Sequence, residues 1–222
     1  MSAALREDAH PKEEIVWQGH GGPVHGRANG MDIIACRACG FRHAVPLPDP
    51  AALEAEYAEA YYRDAKPPYL ADAGADQGWA QLVQDDRLDA IARALGRGPG
   101  TLIEFGSGPG FFLDAATAKG WTAIGIEPSR QAAAFAQGRG LTVYNRTLAD
   151  AAAHGLPEAD AVAATNVLEH LADPIGALRI ACDLLKSGGV LCLTVPNDFS
   201  PLQIAARDGR GHAPWWIAPP HH

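Results

Sequence analysis

The chain has 222 residues, enough for one full α/β domain and a small appendage but short for two full domains. Hydrophobic residues make up 47% and the net charge is −8 at pH 7. That composition excludes a disordered chain and argues against a polyanion-binding surface, so no nucleic-acid partner is expected. No apolar run approaches the roughly 18 residues of a membrane span, and no membrane partner is expected. Residues 1–15 are charged and lack the apolar stretch of a secretory signal.

Residues 1–48 are rich in His, Gly and Pro and form a small Cys/His segment. Of the four cysteines, Cys36 and Cys39 make a Cys-x-x-Cys-Gly turn of the kind that presents two thiolates to zinc. Cys182 and Cys192 fall in apolar patterns and read as core thiols. No disulfide framework is present, which points to a cytoplasmic home. A structural zinc site needs four ligands, and the missing pair must come from His20, His25 or His43, with His20 and His25 the choice made here. The alternative is a pair of reduced, unliganded thiols.

Residues 49–97 read as a helical lead-in. Asp49 is an N-cap with Pro50 at the first helical position, and Leu53, Tyr57 and Tyr61 share one face. Leu88, Ile91 and Leu95 mark a second helix, ended by glycines 96, 98 and 100. From residue 98 to 222 the pattern alternates. Strands are expected at 101–105, 121–126, 141–145, 160–164 and 190–195, with helices at 111–119, from Pro128, and from Pro174. This alternation implies an α/β fold, Rossmann-like and doubly wound, with a mainly parallel sheet.

The first strand runs into Glu104-Phe-Gly106-Ser107-Gly108-Pro-Gly110. Glycines there admit positive φ and close approach of a ligand, and the following helix start favours a negative group. A dinucleotide fingerprint would need glycine at 111, where the chain has Phe. Glu127 ends the second strand, where a carboxylate can accept from both hydroxyls of a ribose. Strand, glycine turn, helix, strand and acid, in that order, point to a nucleoside ligand.

These stretches, with Gly-Ile-Glu-Pro-Ser (125–129), Asn-Val-Leu-Glu-His-Leu-Ala-Asp-Pro (166–174) and Leu-Leu-Lys-Ser-Gly-Gly-Val-Leu (184–191), resemble the ordered motifs of class I S-adenosylmethionine-dependent methyltransferases. The resemblance covers about residues 80–222. It implies that Gly106 and Gly108 pack under the methionine part of S-adenosylmethionine, with Glu104, Ser107 and Gly110 of the same turn also at the cofactor. It implies further that Glu127 holds the ribose and that Asn166 and Leu168 lie beside the cofactor near the substrate mouth. The function implied is methyl transfer to a small organic acceptor. A nucleotide-binding oxidoreductase and a non-catalytic relative are the competing readings.

Some relatives carry Glu-x-x-Glu-His and bind a divalent metal there. Asn166 stands in place of the first Glu, so His170 is read as a structural or substrate-facing group and a catalytic candidate. Asn197 and Asp198 are expected at the pocket rim. In relatives resembling sugar C-methyltransferases a Pro-x-His-like stretch leads into the pocket, where a His acts as base. His221 or His222 would take that place here, with a loose tail as the alternative. Tyr61, Tyr62, Trp215 and Trp216 would wall the acceptor pocket. By the same likeness, Cys-Arg-Ala-Cys-Gly-Phe is similar to the second half of a zinc ribbon.

The resemblance implies seven strands, and only five are found. The last two of the family's seven are missing, and a chain truncated at its C-terminus is expected. Strand 190–195 would then be an open edge, prone to self-association.

Overall fold

The computed structural model describes residues 13–47, 49–59 and 77–211. The chain divides into two compact units, one of Met1–Pro48 with Asn197–His222 and one of Asp49–Pro196. No helix of the described residues is long and apolar enough to cross a membrane.

In the larger unit, α1 (Pro50–Ala55) opens on Asp49, whose carboxylate accepts from the amides of Ala51 and Ala52. It is followed by α2 (Gln77–Leu95). Five parallel strands come next: β5 (Thr101–Phe105), β6 (Thr122–Ile126), β7 (Thr142–Tyr144), β8 (Ala159–Thr165) and β9 (Leu185–Thr194). They alternate with α3 (Phe111–Ala118), α4 (Arg130–Gly138), α5 (Leu148–Ala153) and α6 (Pro174–Leu184). The spatial order is β7-β6-β5-β8-β9. The chain therefore steps outward from β5 one way and returns to its other side at β8, so the switch point lies between β5 and β8.

Period-two alternation divides the core between the two faces. Leu102, Ala161 and Ala163 pack with Leu88 and Ile91 of α2 and with Phe112 and Leu113 of α3. Ile103, Val162 and Ala164 pack on the other face with Ala151 of α5 and Ala181 of α6. The helical lead-in expected at 49–97 is thus part of this unit, because Leu88 and Ile91 are almost fully buried in its core.

Two departures from the expected elements have local causes. The helix expected from Pro128 starts at Arg130, because Ser129 Oγ accepts from the Ala132 amide and sets the cap there. β9 begins at Leu185 rather than at residue 190. Gly188–Gly189 lies within the strand, where the register shifts between Ala159 and Ala161 of β8.

Among the described residues β9 has only β8 beside it, and Leu193 is 40% exposed. An edge of this kind is expected to pair between copies. Light scattering after size-exclusion chromatography should show dimers or larger species, and a monomer at every concentration would reject this.

The smaller unit holds a four-stranded antiparallel sheet in the order β1-β2-β3-β4. Its strands are β1 (Glu14–Trp17), β2 (His20–Ala28), β3 (Met31–Ala35) and β4 (Arg42–Val45). None of these was expected. The same unit includes α7 (Pro201–Arg210), also unexpected, which a capping box of Ser200 and Gln203 starts with Pro201 in its first turn. Phe199 and Ile204 pack against Ile33 and Ala44 of the sheet. The described residues 197–211 therefore group with the N-terminal segment rather than with the parallel sheet, whereas 98–222 was expected from sequence to be one domain.

Candidate functional site

The turn after β5 lies at the carboxyl ends of the strands, beside the switch point. Gly106 and Gly108 have φ of +63° and +52°, a region that side-chain-bearing residues rarely enter. A Cβ on Gly106 would stand 2.6 Å from Val167 Cγ2, so glycine is what lets Val167 pack against the turn. Gly110 serves differently. It starts α3 in the left-handed region, and a Cβ would meet Leu141 and Ala136, so it packs the turn against α4. Ser107 Oγ is buried, close to where a Cβ on Gly125 would stand.

Glu127 sits just past the end of β6 and is buried. Its Oε2 accepts from the Gly108 amide at 2.7 Å and its Oε1 from the Ser129 amide at 2.8 Å. One carboxylate therefore ties the glycine turn to the cap of α4. Each oxygen still has a second acceptor site for a ligand hydroxyl. Burial raises the Glu127 pKa, and the two amides oppose that rise. Glu104, in β5, is likewise buried, and its Oε2 has no hydrogen-bond partner among the described residues. Burial first, and then the charge of Glu127, hold its carboxyl well above the ordinary range, while Arg87 pulls the other way.

These groups line a cleft of about 550 Å³ within the larger unit. Its wall includes Glu104, Gly106, Ser107, Gly108, Glu127 and Asn166 from the expected set. Gly110 and Leu168 do not line it; Val167, Leu168's neighbour, does. Asn166 has φ +51°, and its amide donates to Thr194 O at 2.8 Å, which fixes the turn at the end of β8.

His170 ends a short 3-10 turn, Leu168–His170, and also lines the cleft. Its Nδ1 lies 2.6 Å from the hydroxyl of Tyr57, and Glu169 Oε1 lies 3.8 Å from its Nε2. Tyr57 read from sequence only as part of a helix face, and nothing there pairs it with a residue 113 positions away. Gln84 and Arg87 of α2 also line the cleft, joined by a 3.1 Å hydrogen bond and likewise not anticipated. Tyr61, Tyr62, Trp215, Trp216, His221 and His222 lie outside the described residues. Asn197 and Asp198, expected at the rim, fall in the smaller unit, where Asp198 accepts from Gln203.

That smaller unit gathers His20, Cys36, Cys39 and His43, one ligand atom from each lying within 4.8 Å of all the others. His25, chosen from sequence, is outside the group and stacks edge-on against Phe199, with ring centroids 6.1 Å apart. Burial works against a Cys36 thiolate. The amides of Cys39 and Ala38, with other neighbours, outweigh it and bring the thiol down to about 5. Burial pushes the Cys39 thiol up.

Comparison with known proteins shows the family. A family model described as a methyltransferase domain matches residues 52–222. A ubiquinone biosynthesis O-methyltransferase of Caulobacter vibrioides is 31% identical over 64% of this chain and 58% of its own length. One of Ruegeria pomeroyi is 32% identical over 51% of this chain and 53% of its own. The chain thus spans little more than half the length of these curated relatives. Among solved structures, the plantazolicin methyltransferase BpumL with SAH superposes with a TM-score of 0.55 at 13% identity, over 72% of this chain and 61% of that one. A SAM-dependent methyltransferase from Archaeoglobus fulgidus gives 0.51 at 21% identity, over 64% and 61%. At these identities the likeness concerns the fold.

Proposed function

The chain belongs to the family of methyltransferase domains, and on that premise we propose that it binds S-adenosylmethionine and methylates an oxygen of a small organic acceptor in the cytoplasm. The observation that carries this reading is one cleft lined by the glycine turn, by Glu127 and by the Tyr57–His170 pair. The names of the O-methyltransferase relatives favour oxygen as the acceptor atom.

The residues present fit the cofactor. Glu127 offers its remaining acceptor sites to the ribose. Gly106 and Gly108, both at positive φ, carry the backbone of the turn along the cleft wall. The unpartnered Glu104 Oε2 suits the ammonium of the methionine part, and Arg87 suits its carboxylate. Bound S-adenosylmethionine supplies an activated methyl group on a sulfonium. The protein then has to align the acceptor, exclude water and take the acceptor's proton. His170 is the one imidazole on the cleft wall among the described residues. Tyr57 fixes its ring through Nδ1, and the imidazole is the group that takes up the hydroxyl proton.

His170→Gln is expected to lower kcat by about 10²–10⁴-fold, the usual span for a general base, with the cofactor dissociation constant unchanged. Tyr57→Phe should lower kcat less, because it removes only the group that orients the ring. Release of S-adenosylhomocysteine from panels of small hydroxyl and amine acceptors tests the assignment. Turnover of hydroxyl acceptors that fails in His170→Gln supports it. Turnover only with amines, or full activity in the variant, overturns it. A titration that shows binding of NADH rather than S-adenosylhomocysteine would favour the oxidoreductase reading instead.

A further inference from the structure

The residues matched by the family model begin at 52, beyond the four-stranded sheet. We propose that this sheet carries one zinc ion, held by His20 Nδ1, Cys36 Sγ, Cys39 Sγ and His43 Nε2 in a closed tetrahedral centre with a structural role.

The backbone builds the site from three directions. The Cys36–Cys39 turn joins β3 to β4. It is closed by the Gly40 amide donating to Cys36 O at 3.0 Å and the Cys36 amide donating to Phe41 O at 2.8 Å. Gly40 takes φ +79°, which lets the chain reverse directly after the second thiol. The amide of Arg37 donates to Gly21 O at 2.9 Å and draws the turn against the start of β2, where His20 stands. β4 runs back beside β3 and presents His43 opposite Ile34.

Two observations point to a metal rather than to a polar cluster alone. The first is the state of His43, which is only 7% exposed. Its Nδ1 lies 2.9 Å from Ala44 O, a contact that requires Nδ1 to carry the hydrogen and donate it. The lone pair is then on Nε2, which is buried with no hydrogen-bond partner among the described residues. A carbonyl on one ring nitrogen and a lone pair on the other is how metal-bound imidazoles are oriented. The second is spacing. Zinc bonds of about 2.0–2.1 Å to nitrogen and 2.3 Å to sulfur give tetrahedral edges of roughly 3.3–3.8 Å. His20 Nδ1 lies 3.5 Å from Cys36 Sγ, and all four atoms fall within 4.8 Å of one another.

Two thiolates and two imidazoles in this arrangement suit zinc. Four protein ligands leave no open position, so the centre is structural. The need for it is physical. Beneath the turn, only Ile34, Cys36 and Val45 are fully buried, with Ile15, Trp17, Val24 and Cys39 packed around them. The second cluster of the unit, Ile33, Ala44 and Phe199, is as small, and a metal adds stability where apolar clusters are of this size.

The test uses the full chain, purified without chelator and analysed for metals, with zinc release followed by a chromogenic dye during thiol modification. About one zinc per chain is expected, lost from Cys36→Ser and from His43→Ala but kept in His25→Ala. Since a variant could lose zinc by failing to fold, the wild-type protein is also exchanged into cobalt. Visible bands of tetrahedral cobalt with a thiolate charge-transfer band support two-sulfur ligation. Three results overturn the proposal: no metal with both thiols freely reactive, zinc retained in the double variant Cys36→Ser/His43→Ala, or zinc lost equally from His25→Ala. An octahedral cobalt spectrum would be a fourth such result.

Discussion

Asp160→Ala is expected to destabilise the parallel-sheet unit by about 3 kcal/mol, the order of a single hydrogen-bonded charge lost from a buried site. Asp160 stands near the start of β8 and is 4% exposed. Its Oδ2 accepts from the Thr101 amide at 2.7 Å and from Lys186 at 3.1 Å, and its Oδ1 accepts from Arg97 at 2.6 Å. One carboxylate therefore fastens the adjacent starts of β5, β8 and β9. Gly100 makes room for it, since a Cβ there would stand 2.1 Å from Oδ2. The cost stays below that of breaking a fully buried ion pair, because Arg97 and Lys186 are 48% and 40% exposed and regain water. Arg97→Ala or Lys186→Ala alone should cost about 1 kcal/mol or less. In thermal unfolding, 3 kcal/mol corresponds to a fall of roughly 6–12 °C for a domain of this size. A fall within about 2 °C would remove Asp160 from its structural role.

The same carboxylate sets a pH dependence. Arg97, followed by the Thr101 amide, holds the Asp160 pKa well below the ordinary aspartate value. A depressed folded-state pKa gives stability that is complete above the unfolded value, about 3.9, and is lost as pH falls toward the folded one. The difference in unfolding temperature between wild type and Asp160→Ala should hold from pH 7 to about 5 and shrink below about 4. A gap that stays constant to pH 3 would mean that charge is not what Asp160 contributes.

How much of this was legible differs by element, and the differences are physical. β5, β6, β8 and the nearby helices show clear apolar periodicity because each is buried against a partner, and Glu127 is found by its order after the glycine turn. α5, Leu148–Ala153, is mostly alanine and offers no apolar stripe; only Thr147, whose hydroxyl accepts from the Asp150 amide, marks its start. α7 shows no clear apolar stripe; what marks it is its start, where Pro201 behind Ser200 occupies a first-turn position. β2, His-Gly-Gly-Pro-Val-His-Gly-Arg-Ala, has almost none of the residues that favour strands; its conformation comes from pairing with both β1 and β3. The register shift between Val24 and Gly26 lies at His25, so no count along β2 could say which histidine faces the thiols. Tyr57 and His170 come together only through tertiary packing.

Glu127→Ala is expected to weaken S-adenosylmethionine binding by about 1.5–3 kcal/mol, roughly 10–150-fold in the dissociation constant. The substitution also strands the Gly108 and Ser129 amides, so calorimetric binding has to be measured beside thermal unfolding. An unchanged dissociation constant would show that Glu127 only ties the turn and holds no ribose. The pH dependence of binding separates the two functions further. Burial raises both Glu127 and Glu104, and the charge of Glu127 raises Glu104 again. A carboxyl with a raised pKa takes up its proton above the ordinary value of about 4.3 as pH falls. The protonated form of Glu104 is a poor partner for an ammonium. Affinity should therefore decline on acidification at pH values where an ordinary glutamate stays ionised. Glu104→Gln, which offers no charge at any pH, should bind more weakly at neutral pH and lose most of this dependence. A wild-type affinity that is flat from pH 8 to pH 5 would show that Glu104 does not meet the cofactor's cation, and the ammonium would then have to sit against another wall of the cleft.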